Sequence, residues 1–282
     1  MSETLLETLP STIIDLSVAN SDIIETILLR LPGKEIIKCR KVCRKWNKIT
    51  LSLSFWLSKE EYDGEKYIKS LINCGKPLFC ENYAILSVKK PFERNILFDS
   101  NPNGKNEVKK HADPRWNFSS PGWVYSSPPS FLPDNFHPEF VDLFEGCLET
   151  TSSRCDKTCI INIKEIGLSP HLMDLYRPPI IFSEWISNQT DCRSIYWATI
   201  RLLNERHQVI AVKEKEQRFE FGELQKWIKV EAKIESYPSG IQYIFLSSVI
   251  VIDEFETNPC GARIAESEVI IKMEETSPSV NG

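Results

Sequence analysis

Apolar residues recur at helical spacing near the start of the chain. From Ser21 onwards they share one face of a helix, at Ile23, Ile24, Ile27, Leu28 and Leu31, three or four residues apart. Asp22, followed three residues later by Glu25, favours a capped start to this helix, and Pro32-Gly33 favours its end. The pattern therefore predicts a short amphipathic helix that stops at a Pro-Gly turn.

A second helical stretch follows the first. Its apolar side carries Ile36, Ile37, Val42, Cys43, Trp46 and Ile49, and Phe55-Trp56-Leu57 closes the block. A unit of about 40 residues rarely buries enough apolar surface to be stable alone. We therefore expect the block to dock on another surface. The pattern leaves open whether that surface belongs to the same chain or to a partner.

The pattern becomes that of β-strands further along the chain. Pro-Gly turn signals separate short apolar runs, at 159–163, 179–185, 194–203 and 227–235. The last run alternates between apolar and charged residues, which is typical of a strand with one face in solvent. Many short strands with Pro and Gly turns and no intervening helices favour an antiparallel β-sandwich.

The predicted fold class is thus α+β, with a small N-terminal helical module, a helical linker and a C-terminal antiparallel, jelly-roll-like β-sandwich. The predicted boundaries are a flexible N-terminus (1–17), the helical module (18–57), the linker (58–93), the sandwich (94–273) and a disordered tail (274–282).

Charge and cysteine content narrow the classes of function. The net charge of −5 gives no reason to expect nucleic-acid binding, which uses a positive surface. The most apolar stretch, Ile241–Ile252, is shorter than the ~20 residues a helix needs to cross a bilayer. The nine cysteines are odd in number, and the N-terminus carries acids where an export signal carries Lys or Arg. We therefore expect a cytoplasmic protein with reduced thiols and no membrane insertion.

The helical block resembles an F-box, the module that binds a Skp-type adaptor of cullin-based ubiquitin ligases. The resemblance lies in Asp22-Ile23-Ile24, Ile27-Leu28, Leu31-Pro32, the run from Cys39 to Trp46, and Phe55-Trp56. It implies that the chain contacts the adaptor, and through it a cullin. The implied contacts are Ile23, Ile24, Ile27, Leu28, Leu31, Pro32, Val42 and Trp46. One departure stands out, because the opening Leu-Pro of the family falls here on Ala19-Asn20.

The remainder resembles the F-box-associated (FBA) domain of the subfamily that binds N-glycans. Segments at 94–104, 159–165, 178–205, 237–246 and 261–271 carry the resemblance. It implies a ten-strand antiparallel sandwich whose end loops bind the chitobiose base of high-mannose glycans. The aromatic-aromatic-Lys triplet of the glycan loop falls on Phe255, Glu256 and Thr257, and a further aromatic contact falls on Leu148.

Loss of the stacking aromatic and of the Lys weakens the expectation of a glycan ligand. A sugar ring binds chiefly by packing on an aromatic plane, and one lost stacking residue costs about 1–3 kcal/mol. Glu256 can still hydrogen-bond sugar hydroxyls. Two client classes therefore remain open for the same loops, an N-glycosylated protein and a protein surface without a sugar.

Catalytic motifs are missing from the sequence. The four histidines form no metal-type pair, and the chain contains no nucleophile elbow, phosphate loop or HExxH motif. The sequence therefore predicts a non-catalytic substrate receptor that needs no cofactor and no metal. The rival hypothesis is a cytosolic carbohydrate- or protein-binding module with a degenerate F-box and no ligase coupling, whose helices fold back on the sandwich.

Overall fold

The computed structural model describes residues 19–73, 83–97, 115–118, 122–126, 146–188, 193–220, 226–252 and 261–273. The chain divides into two compact units. One contains residues up to Ile72 and residues 78–88, and the other contains residues 73–77 and everything from Lys89 onwards. The flexible N-terminus (1–17) and the disordered tail (274–282) predicted from the sequence lie outside the described residues.

The first unit is helical. Its helices are α1 (Ser21–Leu29), α2 (Gly33–Cys39), α3 (Arg44–Leu51), α4 (Leu53–Asp63), α5 (Tyr67–Asn73) and α6 (Tyr83–Lys89). The side-chain cap predicted at Asp22 is not formed, because α1 begins one residue earlier and Asp22 lies in its first turn. Its carboxylate there still interacts favourably with the helix dipole.

The second helical stretch of the sequence is two helices instead of one. The chain leaves α2 after Cys39 and enters α3 from an extended Cys43, with φ −158° and ψ 170°. Cys39 and Cys43 therefore do not lie one turn apart on a single helix. The break places Val42 in solvent, with 60% of its surface exposed, whereas one continuous helix would have put it on the apolar side.

Helix α1 packs against α3 and α4, and α2 packs against α3. Large side chains fill the space between them, and those that are buried are Ile24, Leu28, Ile36, Trp46, Ile49, Phe55 and Trp56. The indole of Trp56 donates to the Thr50 carbonyl at 2.9 Å, which satisfies its one polar group inside the core.

Two buried charges on α4 are used to hold helix ends. The Lys59 ammonium donates to the Leu29 carbonyl at the end of α1, at 2.9 Å, and pairs with Asp63 at 2.6 Å. The Glu60 carboxylate accepts from the Ile68 and Lys69 amides in the first turn of α5, at 2.5 and 3.2 Å. Backbone groups at helix ends have no partner within their own helix, so these contacts fix α1 and α5 on α4.

The second unit is a β-sandwich, as the sequence predicted. The described strands are β1 (Asn117–Phe118), β2 (Trp123–Ser126), β3 (Cys147–Thr150), β4 (Arg154–Asn162), β5 (Ile180–Ser187), β6 (Ser194–Leu203), β7 (Val209–Phe219), β8 (Ile228–Ile234), β9 (Tyr243–Ile252) and β10 (Arg263–Ile271), with helix α7 (Pro170–Tyr176) between β4 and β5. They form two five-stranded sheets, in the orders β1-β4-β9-β6-β7 and β2-β3-β10-β5-β8. Every pairing is antiparallel.

The alternation noted between residues 228 and 234 is confirmed. Val230, Ala232 and Ile234 are buried, and the charged residues between them lie on the outer face of β8. Strand β7 gave no such signal, because its sequence of alternating Lys and Glu places charge on both faces. An edge strand can carry that pattern, since charged side chains on an edge discourage pairing with another chain.

A polar cluster joins the two sheets inside the core. Glu184 of β5 lies fully buried and forms an ion pair with the buried ammonium of Lys157 on β4, at 2.6 Å. The same carboxylate accepts from Tyr196 at 2.5 Å, from Ser248 at 2.6 Å and from Ser267. Lys157 and the two serines thereby link strands of both sheets.

Two tryptophans of the sandwich are buried although Pro-rich sequence surrounds them. They are Trp116 and Trp123, each with 8% of its surface exposed. The Lys157 ammonium lies 4.4 Å from the centre of the Trp116 ring, and Trp123 donates to the Asp156 carbonyl at 3.2 Å. Trp185 and Trp197 are the ones that are only partly buried.

No helix in the described ranges is both long enough and apolar enough to span a bilayer.

Candidate functional site

Five of the adaptor contacts implied by the F-box resemblance have surface to offer a partner. Ile23 has 54% of its surface exposed and Val42 has 60%; Pro32 is also exposed, and Ile27 and Leu31 are partly so. Ile23 and Ile27 lie one helical turn apart on the same face of α1. We call these five residues the helical surface patch.

The other three implied contacts lie inside the unit. Ile24, Leu28 and Trp46 are buried in the chain itself, so in this arrangement they have almost no surface for a partner. Their position assigns them to the packing that holds α1 against α3 and α4. We therefore retain only the helical surface patch as the proposed adaptor contacts.

The Ala19-Asn20 departure occurs where α1 begins. The Ile24 amide donates to the Asn20 carbonyl at 3.2 Å, and the Lys45 ammonium donates to the Ala19 carbonyl. Both of these contacts use backbone atoms, and the Asn20 side chain donates in addition to the Asp22 carboxylate at 3.4 Å. The start of the helix therefore does not need the Leu-Pro of the family.

The second candidate site is one end of the sandwich. Strand pairing brings Thr150, Arg154, Ser187, Ser194, Ile252 and Arg263 to this end. The β5–β6 and β9–β10 connections both leave the sandwich here. Phe255, Glu256 and Thr257 belong to the β9–β10 connection, and they lie outside the described residues.

The Gly261-Ala262-Arg263 element fixes the return of the β9–β10 connection into the sheet. The Ala262 amide donates to Thr150 Oγ1 at 2.9 Å, and the Thr150 amide donates to the Ala262 carbonyl at 3.0 Å. A Cβ atom on Gly261 would lie 2.9 Å from the Thr150 carbonyl oxygen, closer than a side chain allows. Glycine is therefore required for this close approach.

Arg263 and Glu149 form an ion pair next to this return. The distance is 3.1 Å, and the Arg263 side chain is buried whereas Glu149 is partly exposed. Arg263 also lies directly across from Ser187 at the end of β5. The pair therefore joins β3 and β10 beneath the two connections. The sequence marks Arg263 only as part of the segment 261–271 that resembles the FBA domain, and it gives no sign of the role of Glu149.

Leu148 lies in the same region but does not face a ligand. It pairs with Ile264 of β10 and Tyr125 of β2, and only 9% of its surface is exposed. In this position it contributes to the core under the loops. A stacking aromatic would have to come from elsewhere.

Cys147 gives this region an unusually basic thiol. Its pKa is raised from 9.0 to about 12, mainly by burial and also by the Glu149 carboxylate, whereas Arg263 acts in the opposite direction. Cys147 packs with Trp227, Ala265 and the partly buried Trp185. Because a nucleophilic cysteine needs a lowered pKa, this environment is that of a structural thiol.

The described part of the chain contains no cluster of metal-ligand side chains. No group of three or more His, Cys, Asp or Glu side chains converges there. One candidate site lies on helices and the other at the loop end of a sandwich. The class that this architecture defines is a protein of two units, a helical module and an antiparallel β-sandwich.

Comparison with known families identifies both units. The F-box domain family matches residues 20–58, and the family described as F-box associated region matches residues 87–271. The chain therefore belongs to the F-box proteins that carry an F-box associated region.

Curated relatives agree with this assignment. The chain is 25% identical to F-box only protein 6 of Mus musculus over 259 residues, which cover 89% of this chain and 81% of that protein. It is 24% identical to F-box only protein 27 of Mus musculus, with 94% and 93% covered. F-box only protein 2 of Bos taurus is 24% identical, with 77% and 71% covered. Both units of the chain are thus shared with these relatives.

Proposed function

We propose that this chain is the substrate-recognition subunit of a cullin-based (SCF) ubiquitin ligase. The F-box would bind a Skp-type adaptor, and through it the cullin, and the sandwich would bind the client. The observation that carries the proposal is the pairing of an F-box at 20–58 with an F-box associated region at 87–271 in one chain. F-box proteins are generally substrate adaptors and not catalysts.

The adaptor would bind at the helical surface patch. Contiguous apolar surface marks sites of protein association, and Ile23 and Ile27 lie one turn apart on the same face of α1. Ile23 and Val42 are large apolar residues exposed in the described part of the F-box. Covering them would remove apolar area from water at about 25 cal/mol per Å².

The client would bind at the loop end of the sandwich. The strand ends around the Arg263–Glu149 pair supply a rigid base, and loops on a rigid scaffold are where binding residues concentrate. A client held there would be presented to the ubiquitin-charged enzyme. Proximity raises the effective concentration of a client lysine, so no catalytic residue is needed in this chain. We propose the cytoplasm as the place of action.

Co-purification tests the adaptor proposal. The full chain is expressed with a Skp-type adaptor, and we expect a stable complex. Ile23→Asp and Leu31→Asp are expected to abolish it, because a carboxylate would be desolvated in an apolar interface. Tyr62→Asp is the matched control, since Tyr62 is an exposed apolar residue of the same unit outside the F-box match.

A wild-type chain that ignores the adaptor would contradict the proposal. It would favour the rival hypothesis of a binding module with a degenerate F-box.

A glycan array tests the class of client. The wild type is compared with Glu256→Trp, which restores a stacking aromatic. Binding of high-mannose glycans by both proteins supports an N-glycosylated client. Binding by the variant alone indicates that the native loops recognise a protein surface, and binding by neither removes the sugar from the proposal.

A further inference from the structure

The outer face of one sheet is apolar along its central strands. In β9 the buried residues alternate with Tyr243, Phe245, Ser247, Val249 and Val251, none of which is charged. The residues of β6 on the same side are Ile195, Trp197, Thr199, Arg201 and Leu203, of which Thr199 and Leu203 are buried. On the opposite sheet, β8 turns Lys229, Glu231 and Lys233 outwards. A sheet face in contact with water is normally polar, so β8 follows the rule and β9 with β6 does not.

Strand register places apolar residues of three strands in one row with Arg201 of the fourth. Ile160, Phe245, Arg201 and Val212 lie directly opposite one another on β4, β9, β6 and β7. Ile160 has 44% of its surface exposed, and Val209 and Val212 of the edge strand have 53% and 58%. We call the outward side of β4, β9, β6 and β7 the β9 face. Ile160, Val209 and Val212 are thus exposed beside the partly exposed apolar residues of β9, and apolar surface grouped in this way is typical of a protein contact.

Charges on the β9 face are arranged so that one of each sign has no ion-pair partner. Arg154 pairs with Asp156, and Arg218 pairs with Glu216. Arg201 packs over the Phe245 ring at 5.6 Å and Glu214 accepts from Thr199 at 3.2 Å, but among the described residues neither forms an ion pair. They occupy diagonal positions on neighbouring strands, about 7–8 Å apart.

An Arg and a Glu on one surface, neither with an ion-pair partner among the described residues, fit a second copy of that surface. In a two-fold symmetric interface each residue meets its complement on the other copy, and vice versa. Arg201 of one chain can then pair with Glu214 of the second, and this happens twice. A partner with one sign of charge would satisfy only one of the two residues.

The size of the face also fits a second copy. Four strands about 4.8 Å apart and about 34 Å long outline about 650 Å² in projection. A standard interface buries about 800 Å² of accessible surface per partner, and accessible area exceeds projected area on a pleated surface. Two such faces can stack as sheets do in a sandwich, about 10 Å apart.

We propose that the protein forms a two-fold symmetric homodimer through the β9 face, with reciprocal Arg201–Glu214 ion pairs around an apolar centre of Phe245, Ile160 and Val212. The proposal is independent of the proposed function. Its consequence rests on the proposed function: each assembly would then carry two client-binding ends, and two linked sites bind a multivalent client more tightly than either site alone.

Light scattering on the eluting full chain tests this proposal. We expect a particle of twice the chain mass of 32.5 kDa. Arg201→Glu and Glu214→Arg are each expected to weaken the dimer about a hundredfold or more, because each change counts twice across the axis and places like charges together. The double variant R201E/E214R is expected to restore the dimer. Glu231→Lys, on the outer face of the other sheet, is the matched control and should remain dimeric.

Several results would overturn the dimer. One is a wild type that remains monomeric up to ~100 µM, where an interface of micromolar Kd would be occupied. Another is association that survives R201E and Val212→Asp, or that is lost in Ile23→Asp, since the contact would then lie on the F-box. A monomer that binds client and loses it on Val212→Asp would assign the β9 face to the client instead. Adaptor co-purification is measured with R201E in parallel. Failure of the dimer proposal can then be told apart from failure of the proposed function.

Discussion

At the residue scale, Glu184 shows how a buried charge is tolerated. Isolated in the core, a carboxylate would cost several kcal/mol. Here Lys157 neutralises it, and hydroxyl groups of Tyr196, Ser248 and Ser267 donate to it. The position was readable in part, because Glu184 lies between the buried Phe182 and Ile186 in the alternation of β5. Its partners come from four other strands, which only the packed sandwich brings together.

We predict that breaking this buried pair destabilises the sandwich strongly. Glu184→Gln leaves the Lys157 ammonium buried without a counter-charge and should cost about 3–5 kcal/mol. Lys157→Met with Glu184→Gln should recover part of that loss, since no buried charge then remains. Urea unfolding followed by tryptophan fluorescence measures both. The control is Lys229→Met, which breaks the partly exposed pair with Glu268 and should cost less than about 1 kcal/mol. Equal losses in Glu184→Gln and Lys229→Met would contradict this account.

Cys147 leads to a prediction about pH. Its pKa is raised from 9.0 to about 12, mainly by burial. A raised pKa means that the folded state favours the neutral thiol, so its contribution to stability is full below pH 9 and is lost as pH rises towards 12. Under reducing conditions, the free energy of unfolding should fall across this window, and it should fall less steeply in Cys147→Ala.

The slopes, not the absolute stabilities, are compared in that experiment, because Cys147→Ala also leaves a cavity. Burial raises the pKa of Tyr196 and of Tyr237 as well, so some slope should persist in the variant. Parallel curves for the wild type and the variant would show that the thiol does not titrate in this window.

At the element scale, α2 begins where α6 passes close by. A Cβ atom on Gly33 would lie 2.8 Å from Cγ2 of Val88 and 4.0 Å from the Trp56 ring. The sequence marked Gly33 only as part of a Pro-Gly stop, whereas the structure makes it the first residue of α2. Local spacing cannot reveal that a helix some fifty positions later crowds this residue.

We predict that Gly33→Ala destabilises the helical unit by about 1–3 kcal/mol through overpacking, despite the better helix propensity of Ala. In a Val88→Ala background the same change should be neutral or stabilising, because the crowded methyl is gone. Thermal unfolding of the four proteins in the cycle measures the coupling. Additive effects of the two substitutions would rule out the contact as the cause.

Whether a strand could be predicted from the sequence depended on how differently its two faces are buried. Strand β8 was readable because it has one buried and one solvated face. Strand β7 was not, because as an edge strand it buries little on either side. The β9 face could not be read either, since an apolar run says nothing about which side of it meets water.

At the scale of the whole molecule, adjacent residues of α1 differ in burial, and under the proposed function Ile24 would serve folding and Ile23 would serve adaptor binding. Ile24 is fully buried and Ile23 is exposed. We predict that Ile24→Ala lowers the unfolding temperature of the protein, in line with the 2–5 kcal/mol that such core truncations cost, whereas Ile23→Asp leaves it nearly unchanged. Addition of the Skp-type adaptor should stabilise the wild type by about 2.7 kcal/mol at a hundred times Kd, and it should not stabilise Ile23→Asp. Calorimetry with and without adaptor measures both effects, and a large loss of stability in Ile23→Asp alone would contradict the division.

The sequence by itself determined the architecture and the family. The signals that determined them are local or linear, namely helical spacing in the F-box, alternation in the strands and the order of short motifs. Each can be read without knowing which residues are in contact. The tertiary structure decided which apolar residues face inwards and which stay exposed. It buried Ile24, Leu28 and Trp46, exposed Val42 by breaking a helix, and paired Glu184 with Lys157. These outcomes depend on which surfaces meet in space, and the free energy of burial is decided there and not along the chain.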